Sequence, residues 1–311
     1  VTRLADVPAE LSDPSNDGWE RYMRRGEFER AWEICDAVLR SRAGRGCHHL
    51  PRHEQWAWDG TPLDARRVLV RCYHGLGDTI HFIRYAPLVR ARAAELIVWT
   101  QPSLIPVLRC LTAVDRLLPL HDGDVGVGYD VDVEIMELPH LFRTTLDTIP
   151  DAIPYLHVTP APLASSERLK VGIVWKAGSW APHRTVPFAL LEPLLALPVS
   201  WYVLQGAQGL EECPPTVGTV AGTRDVMELA QVMRSLDLVI SIDSMPAHLA
   251  GALGIPTWTL LPASADWRWM DGRDDSPWYP TMRLFRQERP GDWTAVIARA
   301  VRELRTMIAR R

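Results

Sequence analysis

One pattern constrains this chain more than any other. An apolar strand that runs into a glycine-bearing loop and then a helix occurs twice. The first copy is RVLVRCY (67–73), followed by Gly75-Leu76-Gly77-Asp78 and a helix expected from about Asp78 to Ala94. The second is LKVGIVW (169–175), followed by Lys176-Ala177-Gly178-Ser179. After the first copy come ELIVWT (95–100), a short helix at 102–111, and strand candidates DRLLPL and YDVDVEI. After the second come a helix at 187–197 with Pro193 as a candidate kink, SWYVLQG, the helix RDVMELAQVMRSL, DLVISID (237–243), the helix PAHLAGALG and PTWTLLP. Strand, helix, strand in this order needs a crossover, and so a parallel sheet with helices on its faces. The stretch TPAPLASSER (159–168) reads as the linker between two αβ units. Ligands of such sheets bind at the carboxyl ends of the strands, so two facing sheets would set a site in the cleft between them.

The ends of the chain read differently. Residues 16–42 spell two helices around a turn at Gly26, with Trp19, Tyr22 and Met23 on one and Phe28, Ala31, Trp32, Cys35 and Leu39 on the next. The offsets of Gly26, Phe28 and Ala31 match one tetratricopeptide-type hairpin. A lone repeat leaves an apolar face open, so it packs on the next domain or ends a longer array. The chain begins at Val1, which fits a piece of a longer protein. The last segment, with Trp293, Val296, Ile297, Ala300, Val301, Leu304 and Ile308 on one face, is an amphipathic helix.

Composition excludes several classes. The 311 residues are 47% hydrophobic and 23% charged, which is globular and not disordered. A net charge of −4 argues against a nucleic-acid partner, which needs a basic face. No stretch reads as a membrane span and residues 1–10 lack a signal-peptide pattern. The cysteines, Cys35, Cys47, Cys72, Cys110 and Cys213, are odd in number, irregularly spaced and without CxxC, which points to reduced thiols and a cytoplasmic setting. Cys47, His48, His49 and His53 have metal-ligand chemistry, but Pro51 interrupts any helix there and a linker is expected; no metal is assigned. Of 34 basic residues only Lys170 and Lys176 are lysine.

Three loops carry the chemistry. His74, Gly75 and Gly77 lead to Asp78 at a helix start; Ile80 stands where a dinucleotide fingerprint has its third glycine, and the second strand ends WTQ without an acid. Asp78 is either a helix cap or a proton acceptor. Lys176, with His183, Arg184 and Thr185 close behind, suits phosphate oxygens. Asp243-Ser244-Met245-Pro246-Ala247-His248 opens a helix whose free N–H groups suit a diphosphate. Asp122/Asp124 and Asp130/Asp132 read as structural acids despite their DxD spacing, GxSxG is absent, and the Trp-rich stretch 266–279 reads as buried.

Taken together, CYHGLGDTIHFIRYAPLV, VGIVWKAGS, HRTVPFALLEPLL, DLVISIDSMPAHLAGALGIPTWTLLP and DWRWMDGRDDSPWYPTMRLFRQ resemble the glycosyltransferase family that contains the heptosyltransferases of lipopolysaccharide synthesis. The chain is more closely similar to bacterial tetratricopeptide-repeat proteins ending in such a domain. The resemblance implies a GT-B fold of two Rossmann-like domains. With the hairpin this divides the chain into 1–57 (hairpin and connector), 58–160 (acceptor domain), 161–290 (nucleotide-sugar domain) and 291–311 (terminal helix). It implies inverting, metal-independent transfer of a sugar, on the heptosyltransferase parallel a heptose, from a nucleotide-diphosphate sugar to a hydroxyl on a glycan or protein, with no further cofactor. Asp78 would be the general base, beside the acceptor-side loop of His74, Gly75 and Gly77. Lys176, Arg184, Gln205, Asp243, Ser244, Met245 and His248 would bind the donor. The loop from Gly178 to Arg184 is shorter than in many tetratricopeptide relatives, and many relatives have Trp-Lys-Gly where this chain has Trp175-Lys176-Ala177. The competing readings are a GT-B scaffold that binds without transferring and an enzyme of the nucleotide-sugar epimerase kind.

Overall fold

The computed structural model describes residues 17–47 and 49–311. His48, and with it the cysteine and histidine cluster as a set, lies outside the described residues. The chain divides into two compact units. The first holds the described chain up to Ile105 together with Leu111–Asp151 and Asp266–Gly272; the second holds Pro106–Cys110, Ala152–Ala265 and Arg273–Arg311. The segment Asp266–Gly272 falls inside the stretch that the sequence reading gives to the nucleotide-sugar domain, yet its contacts place it in the first unit.

The first unit opens with α1 (Asp17–Arg25) and α2 (Phe28–Arg42), turned at Gly26 with φ +75°. The hairpin packs on its own unit. Trp32 Nε1 donates to the Thr144 carbonyl at 2.7 Å, Asp36 meets His140 at 2.8 Å and Arg143 at 2.6 Å, and Trp19 stands edge-on to Trp267 at 5.2 Å. β1 (Arg67–Arg71), β2 (Glu95–Thr100), β3 (Arg116–Pro119) and β4 (Val131–Glu134) form a parallel sheet in the order β3-β2-β1-β4. Burial of Val68, Leu69, Val70, Leu96, Ile97 and Val98 explains the continuous apolar runs: both faces are covered. The single helix expected after β1 is instead α3 (Leu76–Phe82), a tighter turn at Ile83–Tyr85, and α4 (Ala86–Arg92). Pro87 is the cause, since it has no N–H to donate back and its ring crowds the preceding turn.

The second unit is a six-stranded, all-parallel sheet in the order β10-β9-β8-β5-β6-β7. Its strands are β5 (Lys170–Val174), β6 (Ser200–Val203), β7 (Thr219–Val220), β8 (Leu238–Ile242), β9 (Thr257–Leu261) and β10 (Met282–Arg286). The principal helices are α5 (Val226–Met233), α6 (Met245–Ala252) and α7 (Trp293–Ala309). β7 and β10 escaped the sequence reading: one has two residues, and the other sets two arginines among three apolar residues. At residues 187–197 only a tight turn at Phe188–Leu191 and one helical turn at Glu192–Leu195 form, with Pro193 in the first turn where a missing N–H costs nothing. The stretch 159–168 is coil, tied to the second unit where Ala161 N–H donates to Gln231 and its carbonyl accepts from Ser235.

α6 is held by an exact absence of side chain at Gly251. A Cβ there would lie 2.4 Å from the Tyr279 ring. Gly→Ala in a helix ordinarily stabilises by about 0.4–1 kcal/mol. Here Gly251→Ala should destabilise by about 1–3 kcal/mol through overpacking, read as a lower midpoint in denaturant unfolding.

Candidate functional site

In a parallel sheet whose strand order reverses, the crevice lies at the reversal. In the first unit that point is between β1 and β4, where Arg71 pairs with Glu134 in register. The loop after β1 is the His74–Asp78 segment. Gly75 is the N-cap of α3 and Asp78 its third residue, so Asp78 lies inside the helix and not at its first position. Asp78 Oδ2 accepts from Gly75 N–H at 2.9 Å and Oδ1 accepts from Arg268 Nη2 at 2.6 Å. The capping role and a shielded ion pair therefore coincide on one carboxylate. Arg268, only 7% exposed, is itself gripped: Nη1 donates to Asp266 at 2.7 Å and its guanidinium lies over Trp267 at 4.6 Å. Gln101 braces the loop from the end of β2, donating to the carbonyls of Cys72 at 3.1 Å and His74 at 2.6 Å.

Glu134, at the end of β4, faces the same loop. It accepts from Met136 N–H at 2.6 Å and from Tyr73 N–H at 3.4 Å, and its carboxyl lies 3.6 Å from His74 Nε2. Burial, with the nearby charges of Glu137 and Asp78, pushes its pKa up to about 8. Burial likewise raises Glu137, against hydrogen bonds from the N–H groups of Glu134, Trp58 and Ala57.

In the second unit the order reverses between β5 and β8, and the loops after those strands carry the predicted donor residues other than Gln205, which follows β6. Arg184 Nη1 lies 3.2 Å from Asp243 Oδ2, and its guanidinium stands 5.1 Å from the exposed Trp180 ring. Asp243 is buried at 4% exposure, so the arginine offsets a charge that would otherwise repel an anion from the adjoining helix. Ser244 is the N-cap of α6 but its hydroxyl turns back to the Ile242 carbonyl at 3.1 Å, leaving the first turn without a side-chain cap. Such an N-terminus favours anions. Met245 opens that turn, with Pro246 behind it. His248 is buried, its Nδ1 3.0 Å from the Tyr279 hydroxyl.

Two predicted donor residues are otherwise engaged. Gln205 Oε1 accepts from the N–H groups of Trp175 at 3.1 Å and Lys176 at 2.9 Å, while Nε2 donates to the carbonyls of Lys176 at 3.2 Å and Gln208 at 2.9 Å. Its amide is fully used on backbone and shapes the loop after β5. The Lys176 ammonium donates to Glu211 at 3.2 Å and to Glu212, and these carboxylates raise its pKa. Asp130 and Asp132 are structural, paired with Arg67 and Arg71 at 2.9 and 2.6 Å. Trp267, Trp269, Trp278 and Tyr279 are buried, as their stretch suggests. Among the described residues no group of three or more His, Cys, Asp or Glu is placed to hold a metal ion.

Arg268, Glu134 and Gln101 were not read from the sequence as site residues. The WTQ ending of the second strand was the one visible sign: a glutamine stands where a dinucleotide fold would put an acid.

The buried acids make a testable electrostatic signature. Glu134 keeps a proton in the folded chain that the unfolded chain releases near pH 4.5, and Glu137 is shifted in the same direction. At Glu134 the unfolded chain thus binds fewer protons between about pH 4.5 and about pH 8, and the contribution of that group to stability declines as pH rises through that window. Glu134→Gln should flatten the decline relative to the parent chain in denaturant unfolding at several pH values; identical slopes would contradict the assignment.

Residues 205–291 match the model of Glycosyltransferase family 9 (heptosyltransferase), a span that includes Asp243–His248. Protein FlbA of Caulobacter vibrioides is 27% identical over 296 residues, covering 81% of this chain and 48% of that protein. The chain thus spans about half the length of this curated relative. Among solved structures, a glycosyl transferase family 9 protein from Veillonella parvula is similar with TM-score 0.58 and 15% identity, over 81% of this chain and 99% of that one. The ADP-heptose lps heptosyltransferase II of E. coli gives 0.54 and 15%, over 78% and 99%. The iron-containing dodecameric glycosyltransferase TibC of enterotoxigenic E. coli gives 0.57 and 13%, over 80% and 78%. These findings address the glycosyltransferase part of the resemblance and not its tetratricopeptide part. Residues 205–291 carry a glycosyltransferase family 9 (heptosyltransferase) domain, in an α/β chain with the GT-B fold of its heptosyltransferase neighbours.

Proposed function

We propose that the chain is the transferase part of an inverting glycosyltransferase that takes a sugar from a nucleotide-diphosphate sugar, on the heptosyltransferase parallel an ADP-heptose, to a hydroxyl of a glycan or protein. The observation that carries this reading is the family match at 205–291, which covers the uncapped N-terminus of α6 and the buried Asp243 beside Arg184. An arginine oriented by a buried carboxylate, next to an open helix N-terminus, is suited to the charge that grows on a leaving diphosphate. Asp78 is the proton acceptor for the attacking hydroxyl, with Gly75 N–H and Arg268 fixing its two oxygens. Lys176 adds charge toward the donor phosphates once Glu211 and Glu212 release it. The reaction needs no metal in this proposal, although the structurally similar TibC is iron-containing; activity undiminished by EDTA is the expected result. No helix among the described residues is long and apolar enough to cross a membrane, and the free cysteines fit action in the cytoplasm.

One observation favours the binding-scaffold reading: both oxygens of Asp78 are already occupied. A donor-turnover assay with and without cell extract as acceptor separates the two. Asp78→Asn should retain donor binding and lose transfer by about 10²-fold or more; near-normal transfer would remove Asp78 as base. For the donor, a thermal-shift series of ADP, UDP and GDP and their sugars should single out one base, since saturation at a hundredfold the Kd adds about 2.7 kcal/mol. Arg184→Ala should abolish that shift and Lys176→Arg weaken it. No shift with any nucleotide would overturn the transferase reading.

A further inference from the structure

A cavity lies wholly within the first unit, between the helical hairpin and the end of β4. Its volume is about 460 Å³, within the range of small-ligand sites. Its walls are unusual in composition. Five indoles, Trp19, Trp32, Trp56, Trp58 and Trp267, line it. The ionisable groups among them are three carboxyls, Glu54, Glu134 and Glu137, one guanidinium, Arg42, and the imidazoles of His74 and His140.

The charges decide what fits. Arg42 lies 3.7 Å from the Glu137 carboxyl and over the Trp56 ring at 4.6 Å, so its guanidinium is already partnered by a carboxyl group and an aromatic face. The lining therefore offers an anion no uncommitted positive charge. It offers a neutral polyol what such a molecule needs: flat apolar faces for its C–H surfaces and carboxyl and amide oxygens, Gln55 included, for its hydroxyls. Cys35 also lines the cavity, but burial pushes its thiol up to about 11, so it supplies no nucleophile.

The cavity also adjoins the reacting loop. His74 and Glu134 line it, and His74 directly precedes Gly75, the N-cap of α3. Met136, another wall residue, has its sulfur 3.4 Å from the Arg268 nitrogen that holds Asp78. Trp267 is next in sequence to Arg268 and stacks beneath its guanidinium.

We propose that this cavity is the acceptor site, and that the acceptor group it takes is a neutral sugar ring, roofed by the helical hairpin. The proposal rests on the transferase reading but is separable from it. The probes are neutral methyl hexosides, hexose 6-phosphates, uronic acids and a serine- and threonine-containing peptide, each followed by saturation-transfer NMR on the full chain. Donor binding is followed in parallel by the nucleotide-diphosphate thermal shift. Neutral glycosides should bind, the phosphates and uronates at least about tenfold more weakly. Trp56→Ala should weaken the glycoside about tenfold or more. Val38→Arg, at a 37%-exposed position on α2 that faces the cavity, should do the same without disturbing the fold. Both variants should keep the parent nucleotide shift.

Glycoside binding that neither variant changes would overturn the proposal, as would preference for the anionic sugars or binding of the peptide alone. Absent glycoside binding with an intact nucleotide shift would overturn the acceptor site and leave the transferase reading standing. Trp56-dependent glycoside binding with no nucleotide shift would keep the sugar site and remove the transferase reading.

Discussion

Every strand of each sheet runs the same way, so all carboxyl ends of a sheet emerge at one edge. That constraint organises the rest of the molecule. At the edge, the loops after β1 and β4 meet in one unit, and those after β5 and β8 meet in the other. Loops at such a junction cannot pair with a sheet, and their backbone groups need other partners. The two units answer this in the same way. Gln101, at the end of β2, binds the loop after β1, and Gln205, past the end of β6, binds the loop after β5. A side-chain amide from the neighbouring strand thus braces each loop, Gln101 by donating to its carbonyls and Gln205 by both donating to and accepting from its backbone.

The charges at these edges are arranged in answering pairs. Asp78 is held by Arg268 and Asp243 by Arg184, each arginine largely withdrawn from solvent. An arginine fixed by a buried carboxylate keeps its remaining N–H groups aimed in one direction, which is how a guanidinium becomes a positioned anion receptor. Glu134 has no such counter-charge within its hydrogen-bond set and keeps its proton near neutral pH. The first unit therefore presents acids and indoles, while the second presents a guanidinium and an open helix N-terminus. That division is the one that the proposed neutral acceptor and anionic donor require.

Much of this was legible in the residue order. Strand positions followed from apolar runs, since a strand buried on both faces must be apolar throughout, as ELIVWT is. The loops were legible because glycine, proline and N-cap residues mark them locally, and the Asp130 and Asp132 pair read correctly as structural. Other features were hidden for stated reasons. The helix after β1 breaks at Pro87, a residue tolerated in a first turn and disruptive in a middle one, and periodicity does not say which applies. The Asp78 partner is 190 residues away. Lys176 stands at a strand end suited to phosphate, yet two glutamates from a later turn hold it.

What the sequence determined by itself is the local chemistry: two strand–loop–helix units, a helical hairpin, and the acids, amides and cations in the loops. These depend on periodicity and on the backbone preferences of neighbouring residues, which are properties of short segments. What only the tertiary structure decided is which of those groups touch. Asp266–Gly272 returns to the first unit and brings Arg268 to Asp78, and the hairpin roofs a cavity of indoles drawn from α1, α2, the connector and that same returning segment. Contacts between distant segments depend on how whole faces pack, and no short window of sequence carries that information.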